Sequence, residues 1–128
     1  MRRLPAVADG IVIAVTGEPP QLTVRTVDAG DVCTVELVGE IDLTTSARVS
    51  VEFELVLSRQ VLPAAIHVDL LGVTFMDSMG IAILIKARRQ ATAAGCRFSV
   101  TSMSPVIANV LEMSGLRPLL TGSSDPPA

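Results

Sequence analysis

A chain of 128 residues is about one average domain, enough for a layer of helices on one sheet and too little for two independent cores. A hydrophobic fraction of 49% against 18% charged residues excludes global disorder, and aromatics at only 2% require an aliphatic core of Leu, Ile, Val and Ala. The net charge of -3, without any block of like charges, excludes the basic footprint of a nucleic-acid-binding surface.

Residues 1–20 read as a flexible N-terminal flank or an extra strand. Arg2 and Arg3 precede a mildly apolar stretch, but Asp9 and Gly10 interrupt it and no small-residue cleavage site follows, so an export signal is not expected. Gly17-Glu18-Pro19-Pro20 closes this flank with turn chemistry. No run approaches the roughly 18 apolar residues of a membrane span. The expectation is a cytoplasmic protein with neither a membrane nor a nucleic-acid partner.

From Gln21 the pattern has period two. Leu22, Val24 and Thr26 alternate with Thr23, Arg25 and Val27, Asp28-Ala29-Gly30-Asp31 supplies a turn, and Cys33, Val35 and Leu37 continue on a second strand. The alternation stops at Gly39-Glu40-Ile41-Asp42. Thr44 or Thr45 can then cap a helix with Val49, Phe53, Val56 and Leu57 at three- and four-residue spacing, and Pro63 ends the connection. The next strand sets Ile66, Val68 and Leu70 against His67 and Asp69.

A second helix opens at Asp77-Ser78, either of which can accept hydrogen bonds from the first turn, and runs through Ile81, Leu84 and Ile85 to Gly95. Lys86, Arg88 and Arg89 leave its apolar stripe for water. A strand with Phe98 and Val100 inward follows. Ser104-Pro105 then reads as an N-cap with proline at the first helical position. The third helix carries Val106, Ile107, Val110, Leu111 and Met113, stops at Gly115, and lets Leu116 fold back on its last turn. Residues 121–128 read as a flexible tail.

The order strand, strand, helix, strand, helix, strand, helix predicts an α/β fold in which each helix after the hairpin crosses between parallel strands. The second side of every strand is polar: Thr23 and Arg25, Thr34 and Glu36, His67 and Asp69, and Arg97, Ser99 and Thr101. A parallel strand covered on both faces reads as a continuous apolar run, so the helices are expected on one face, as steady right-handed crossovers also require.

The carboxyl edge of such a sheet is where a site forms. It collects Glu40 and Asp42, then Asp77, Ser78, Met79 and Gly80, then Ser102, Met103 and Ser104. His67 lies mid-strand, too far below Ser78 for a nucleophile–base pair, and no GxGxxG or GxxxxGK[ST] loop exists. Asp42 and Asp77 lack a third protein ligand for a metal. No enzyme activity, cofactor or metal is expected, with a small nucleotide-binding enzyme as the remotest reading. Gly80 costs about 1 kcal/mol relative to Ala in a first helical turn, which anticipates the close approach of a partner or a neighbouring backbone. Met76 and Met79 form a hydrophobic tip that either meets a partner or fills the core. Cys33 and Cys96, outside any CxxC, share the core face two strand spacings apart, about 9.6 Å, beyond the roughly 7 Å a disulfide tolerates.

These loops carry a resemblance. Gly39-Glu40-Ile41-Asp42 resembles the G-E-[IL]-D segment of the bacterial STAS (sulfate transporter and anti-sigma factor antagonist) anti-sigma-factor antagonists. Phe75-Met76-Asp77-Ser78-Met79-Gly80 is similar to their F-[ML]-D-S-[ST]-G phosphorylation loop. Ser104-Pro105 and Glu112-Met113-Ser114-Gly115-Leu116 resemble their last helix and its ending. The similarity runs from about residue 21 to 120, and Met79 departs from it by replacing a small hydroxyl residue.

The resemblance implies a STAS-like mixed sheet of four to five strands that begins with a hairpin and continues with strand–helix crossovers, helices on one face. It implies partner switching: the unphosphorylated protein binds an anti-sigma factor with a kinase-like ATP-binding fold, frees the sigma factor, and is inactivated when that kinase phosphorylates Ser78. The docking residues it implies are Glu40, Asp42, Thr44, Asp77, Ser78, Met79, Gly80 and Ser104. The alternative is a redox-sensing or scaffolding module of the same fold, governed by Cys33 and Cys96 while Ser78 is silent.

Overall fold

The computed structural model describes residues 6–8, 11–13 and 21–122. The Gly17–Pro20 turn and residues 123–128 of the expected tail lie outside the described residues. Two short strands, β1 (Ala6–Ala8) and β2 (Ile11–Ile13), pair antiparallel as a two-stranded sheet of their own.

The main sheet begins where the period-two pattern begins. Strands β3 (Leu22–Ala29) and β4 (Val32–Ile41) form an antiparallel hairpin whose turn is Gly30-Asp31, with Gly30 at φ 62°. Strands β5 (Ala65–Met76) and β6 (Arg97–Met103) add in parallel, giving the order β3-β4-β5-β6. Helix α1 (Ser46–Leu57) connects β4 to β5, and α2 (Ser78–Ala93) connects β5 to β6. Helix α3 (Pro105–Met113) follows β6, and a short α4 (Arg117–Thr121) ends the described chain. The predicted element order is present, and α4, which the sequence pattern does not anticipate, follows its last helix.

One face of the sheet holds the core. Leu22 and Val24, Cys33, Val35 and Leu37, Ile66, Val68 and Leu70, and Phe98 and Val100 are all buried. Against them pack Val49, Phe53 and Val56 of α1, Leu84, Ala87 and Ala91 of α2, and Ile107 and Leu111 of α3. The Phe53 ring meets Phe98 edge-on at 5.7 Å, which locks α1 to the opposite end of the sheet. All these helices contribute to one apolar cluster, as the alternation required. The opposite face is less polar than expected: Val27, Val38, Leu71 and Phe75 reach it as exposed apolar side chains.

Two details of packing depart from the periodicity. On α3 only Ile107 and Leu111 are buried, while Val106 and Met113 are exposed, because α3 touches the sheet with one narrow stripe. On α2 Lys86 and Arg89 reach water, but Arg88 is half-buried and is not part of the solvated face. Helix endings follow expectation. Gly95 and Gly115 take positive φ, and the Leu116 amide donates back to the Leu111 carbonyl at 2.9 Å.

Strand β5 bulges twice against β4. Glu36 faces Asp69 but Val38 faces Gly72, and Gly39 faces Val73 but Glu40 faces Phe75. Each bulge inserts an extra β5 residue, so the inward side passes from Leu70 to Val73 and then to Met76. The Asp69 carboxylate accepts from the Leu71 amide at 2.9 Å and holds the first bulge. Irregular pairing therefore brings the end of β5 level with Ile41, its last register partner.

Candidate partner-docking site

The site is built from two turns that leave β4 and β5 side by side. Gly39 stands at φ 122°, and a side chain there would fall on the Gln21 carbonyl, so only glycine lets the chain pass. The next amide, of Glu40, donates to that same carbonyl at 2.9 Å.

Beyond Ile41 the carboxylate of Asp42 organises a tight turn. Its Oδ1 accepts from the amides of Thr44 (2.9 Å) and Thr45 (3.2 Å) and from the Thr44 hydroxyl (2.7 Å). The Thr44 hydroxyl donation, ahead of the backbone donors, holds the Asp42 carboxyl below the usual carboxylate range. The Thr44 hydroxyl also lies 3.1 Å from the Gln21 side-chain amide, tying the turn to the start of β3. Thr45 is the formal cap of α1, yet its side chain makes no cap bond, which corrects the expected capping role of Thr44 or Thr45. Its buried hydroxyl instead donates to the Glu40 carbonyl at 2.8 Å and accepts from the Asp42 amide at 3.0 Å.

The second turn follows β5. The Asp77 amide donates to the Ile41 carbonyl at 3.2 Å, stitching the two turns together. Asp77 is the N-cap of α2, its Oδ1 accepting from Met79 (2.9 Å) and Gly80 (3.3 Å). Of the two residues expected to cap, Asp77 does so. Ser78 occupies the first helical position, exposed to solvent, and its hydroxyl has no hydrogen bond among the described residues.

Gly80 is buried against side chains. A Cβ there would come within 2.6 Å of Met76 Cγ and 2.9 Å of Ile41 Cγ2. The close approach anticipated for this glycine thus comes from core side chains, rather than from a partner or a backbone. Met76 is buried and belongs to the core, whereas Met79 is 42% exposed. Leu43, between the Asp42 and Thr44 of the first turn, is 73% exposed.

The expected edge therefore contracts. Asp42, Thr44, Asp77, Ser78, Met79 and Gly80 lie on the two stitched turns, and Glu40 on the end of β4 that leads into the first. Ser104 does not share them: its hydroxyl donates to the Val73 carbonyl at 3.0 Å and accepts from the Ile107 amide at 3.4 Å, several residues before β5 ends. Ser102 and Met103 register with Asp69 and Leu70, lower still. They line a separate cleft of about 520 Å³ with Leu71, Arg117 and Thr121, away from the stitched turns. Sequence reasoning missed Leu43 and Gln21 as site residues and gave Thr45 only a capping role. The one available signal was Leu43 itself, an apolar residue at a break in alternation with no periodic element to bury it.

Cys33 and Cys96 are both free and buried, with β5 between their strands. Burial, then the neighbouring Asp28 carboxylate, pushes the Cys33 thiol up to about 11, and burial raises Cys96 as well. Among the described residues no three His, Cys, Asp or Glu side chains group as a metal would need, and no helix is long and apolar enough to cross a membrane.

Residues 24–121 match the family model described as "Mlab, STAS domain". The chain belongs to the STAS domain family. Solved structures agree with this STAS domain in fold. An anti-sigma factor antagonist from Mycobacterium paratuberculosis superposes with a TM-score of 0.70 at 25% identity, covering 77% of this chain and 82% of that one. The anti-sigma factor antagonist SpoIIAA in its unphosphorylated form gives 0.66 at 22% identity, covering 75% and 84%. The phosphorylated Bacillus cell fate determinant SpoIIAA gives 0.61 at 21% identity, covering 75% and 86%. No curated protein matches this STAS domain at a significant level.

Proposed function

We propose that this STAS domain, residues 21–120, is an anti-sigma-factor antagonist: it binds an anti-sigma factor with a kinase-like ATP-binding fold, releases the sigma factor, and is switched off by phosphorylation of Ser78. The observation that carries the reading is Ser78 itself, exposed on the first residue of α2, its hydroxyl without a hydrogen bond among the described residues, and one residue from the amide that bonds the Ile41 carbonyl. The antagonist role of the Mycobacterium paratuberculosis structure, at 25% identity, supports it. Binding rather than catalysis fits a site made of two Asp-held turns in which the carboxylate beside the serine, Asp77, is occupied capping α2.

A phosphate on Ser78 adds about -1.5 to -2 charges. It would stand at a helix N-terminus, which favours an anion, so the domain stays folded and the effect falls on binding. Against a partner carboxylate roughly 6 Å away at an effective dielectric near 20, each unit charge pair costs about 3 kcal/mol. The doubly charged group then costs about 5 kcal/mol, over a thousandfold in affinity. Asp42 and Asp77 already make this edge acidic.

Thiol control has less support, because both sulfurs are buried and held protonated, and only thiolates exchange. The test is the affinity of purified anti-sigma factors for wild type, Ser78→Ala and Ser78→Asp. Tight binding by the first two and a large loss in the third is expected; equal affinity for all three would overturn phospho-control.

A further inference from the structure

The two aspartates of the site do the same job. Each turns one carboxylate oxygen back on the following amides, Asp42 on Thr44 and Thr45, Asp77 on Met79 and Gly80. Each thereby fixes the backbone that displays an apolar side chain to solvent, Leu43 beside the first and Met79 beside the second. The Asp77 amide on the Ile41 carbonyl holds the two turns together, and Gly80 seats the second on Ile41 and Met76. Both side chains therefore stand on rigid backbone, which lowers the entropy lost when they are covered.

Their setting says what covers them. Residues 38–47 and 74–82 contain no Lys or Arg, while Glu40, Asp42 and Asp77 are acidic. Arg48, the cation that follows the first turn in sequence, donates to the Leu22 carbonyl at 2.9 Å. Two exposed apolar side chains on an acidic edge are complementary to an apolar socket bordered by cations. A membrane or a nucleic acid supplies no such ring.

We infer that Leu43 and Met79 are the apolar anchors of this docking face, fitting a hydrophobic socket bordered by Arg or Lys on the anti-sigma factor, so that partner choice is set by these two side chains and switching by Ser78. The inference rests on the function proposed above. It gives the hydroxyl-to-methionine replacement at residue 79 a role: the larger side chain adds contact area next to Ser78. A few central, fully covered residues carry most of the energy of an interface, while the polar rim sets rate and orientation.

The experiment measures the affinity of each purified kinase-fold anti-sigma factor of the source organism for the full chain and for Leu43→Asn, Met79→Gln and Ser78→Asp. Thermal unfolding is followed alongside. Both side chains are exposed, so unchanged melting temperatures are expected. Each anchor variant should lose about tenfold or more in affinity, as burial of one such side chain predicts, and the loss should persist at high salt. Anchor variants that bind within twofold of wild type, while Ser78→Asp still loses binding, would overturn the anchor assignment and leave the proposed function standing. Failure of the wild type to bind any of these anti-sigma factors would overturn both.

Discussion

The Asp77 amide lies 3.2 Å from the Ile41 carbonyl, and this one bond joins the Ser78 turn to the Asp42 turn. Because it is made by backbone, side-chain changes at Asp77 leave it intact and remove only the cap. Asp77→Ala should therefore destabilise the domain by about 1 kcal/mol, the usual cost of a lost N-cap, read as a lower denaturant midpoint with unchanged slope. Hydrogen exchange should accelerate at the Met79 and Gly80 amides, which lose their acceptor. Asp77→Asn, which retains a capping oxygen, should cost less.

Gly80 opposes two effects of similar size. Replacing it by Ala improves helix propensity by about 1 kcal/mol. The new Cβ, however, would meet Met76 Cγ at 2.6 Å and Ile41 Cγ2 at 2.9 Å, and overpacking of this kind costs about 1–3 kcal/mol. Gly80→Ala is expected to be net destabilising in urea unfolding. The same substitution in a Met76→Ala background should cost less or become stabilising, since the closest contact is then gone.

How much of this was legible in the sequence depends on where periodicity operates. The hairpin, the crossover order and the single core face follow from residues such as Val35, Ile66 and Phe98, whose spacing alone commits them inward. The β5 bulges are not legible, because Val73 and Met76 are inward only after two shifts of parity that a period-two reading cannot contain. Leu43 was missed because it lies inside a turn, where no period assigns a face, and Met79 was ambiguous because it stands in the first turn of α2, before the apolar stripe is established. Asp42 was readable as a turn residue, but the exchange of roles that leaves Thr45 bonded to Glu40 and Asp42 needed coordinates. Ser104 is a cap as the Ser-Pro pair indicates, yet the offset of β6 against β5 that separates it from Ser78 is a matter of register, on which local pattern is silent.

Thr44 governs the ionisation of Asp42. Its hydroxyl is the leading cause that holds the carboxyl low, so Thr44→Val should move the Asp42 pKa upward toward the ordinary carboxylate value, followed by NMR titration of the side chain. With a depressed folded pKa, the stabilising contribution of Asp42 is present above the unfolded carboxyl's value and lost as pH falls through the folded one. Acid titration of wild type should therefore loosen this turn at a lower pH than in Thr44→Val. An unchanged Asp42 titration in the variant would show the backbone amides to be sufficient.

Cys33 sets the opposite dependence at alkaline pH. The core accepts only the neutral thiol, and burial together with Asp28 lifts its pKa to about 11. A raised folded pKa means that the stabilisation is complete below the unfolded thiol's value near 9 and is lost as pH rises toward 11. The chain lacks tyrosine, and Cys96, whose thiol burial also raises, adds to the same alkaline dependence. The urea midpoint should fall between about pH 9 and 11, and fall less steeply in Cys33→Ala, even though that variant starts lower for want of the sulfur's packing. Thiol alkylation of the folded protein at pH 8 should be slow at both cysteines and become fast on unfolding. Rapid labelling of the native protein would mean that a sulfur reaches solvent, and would return thiol control to consideration.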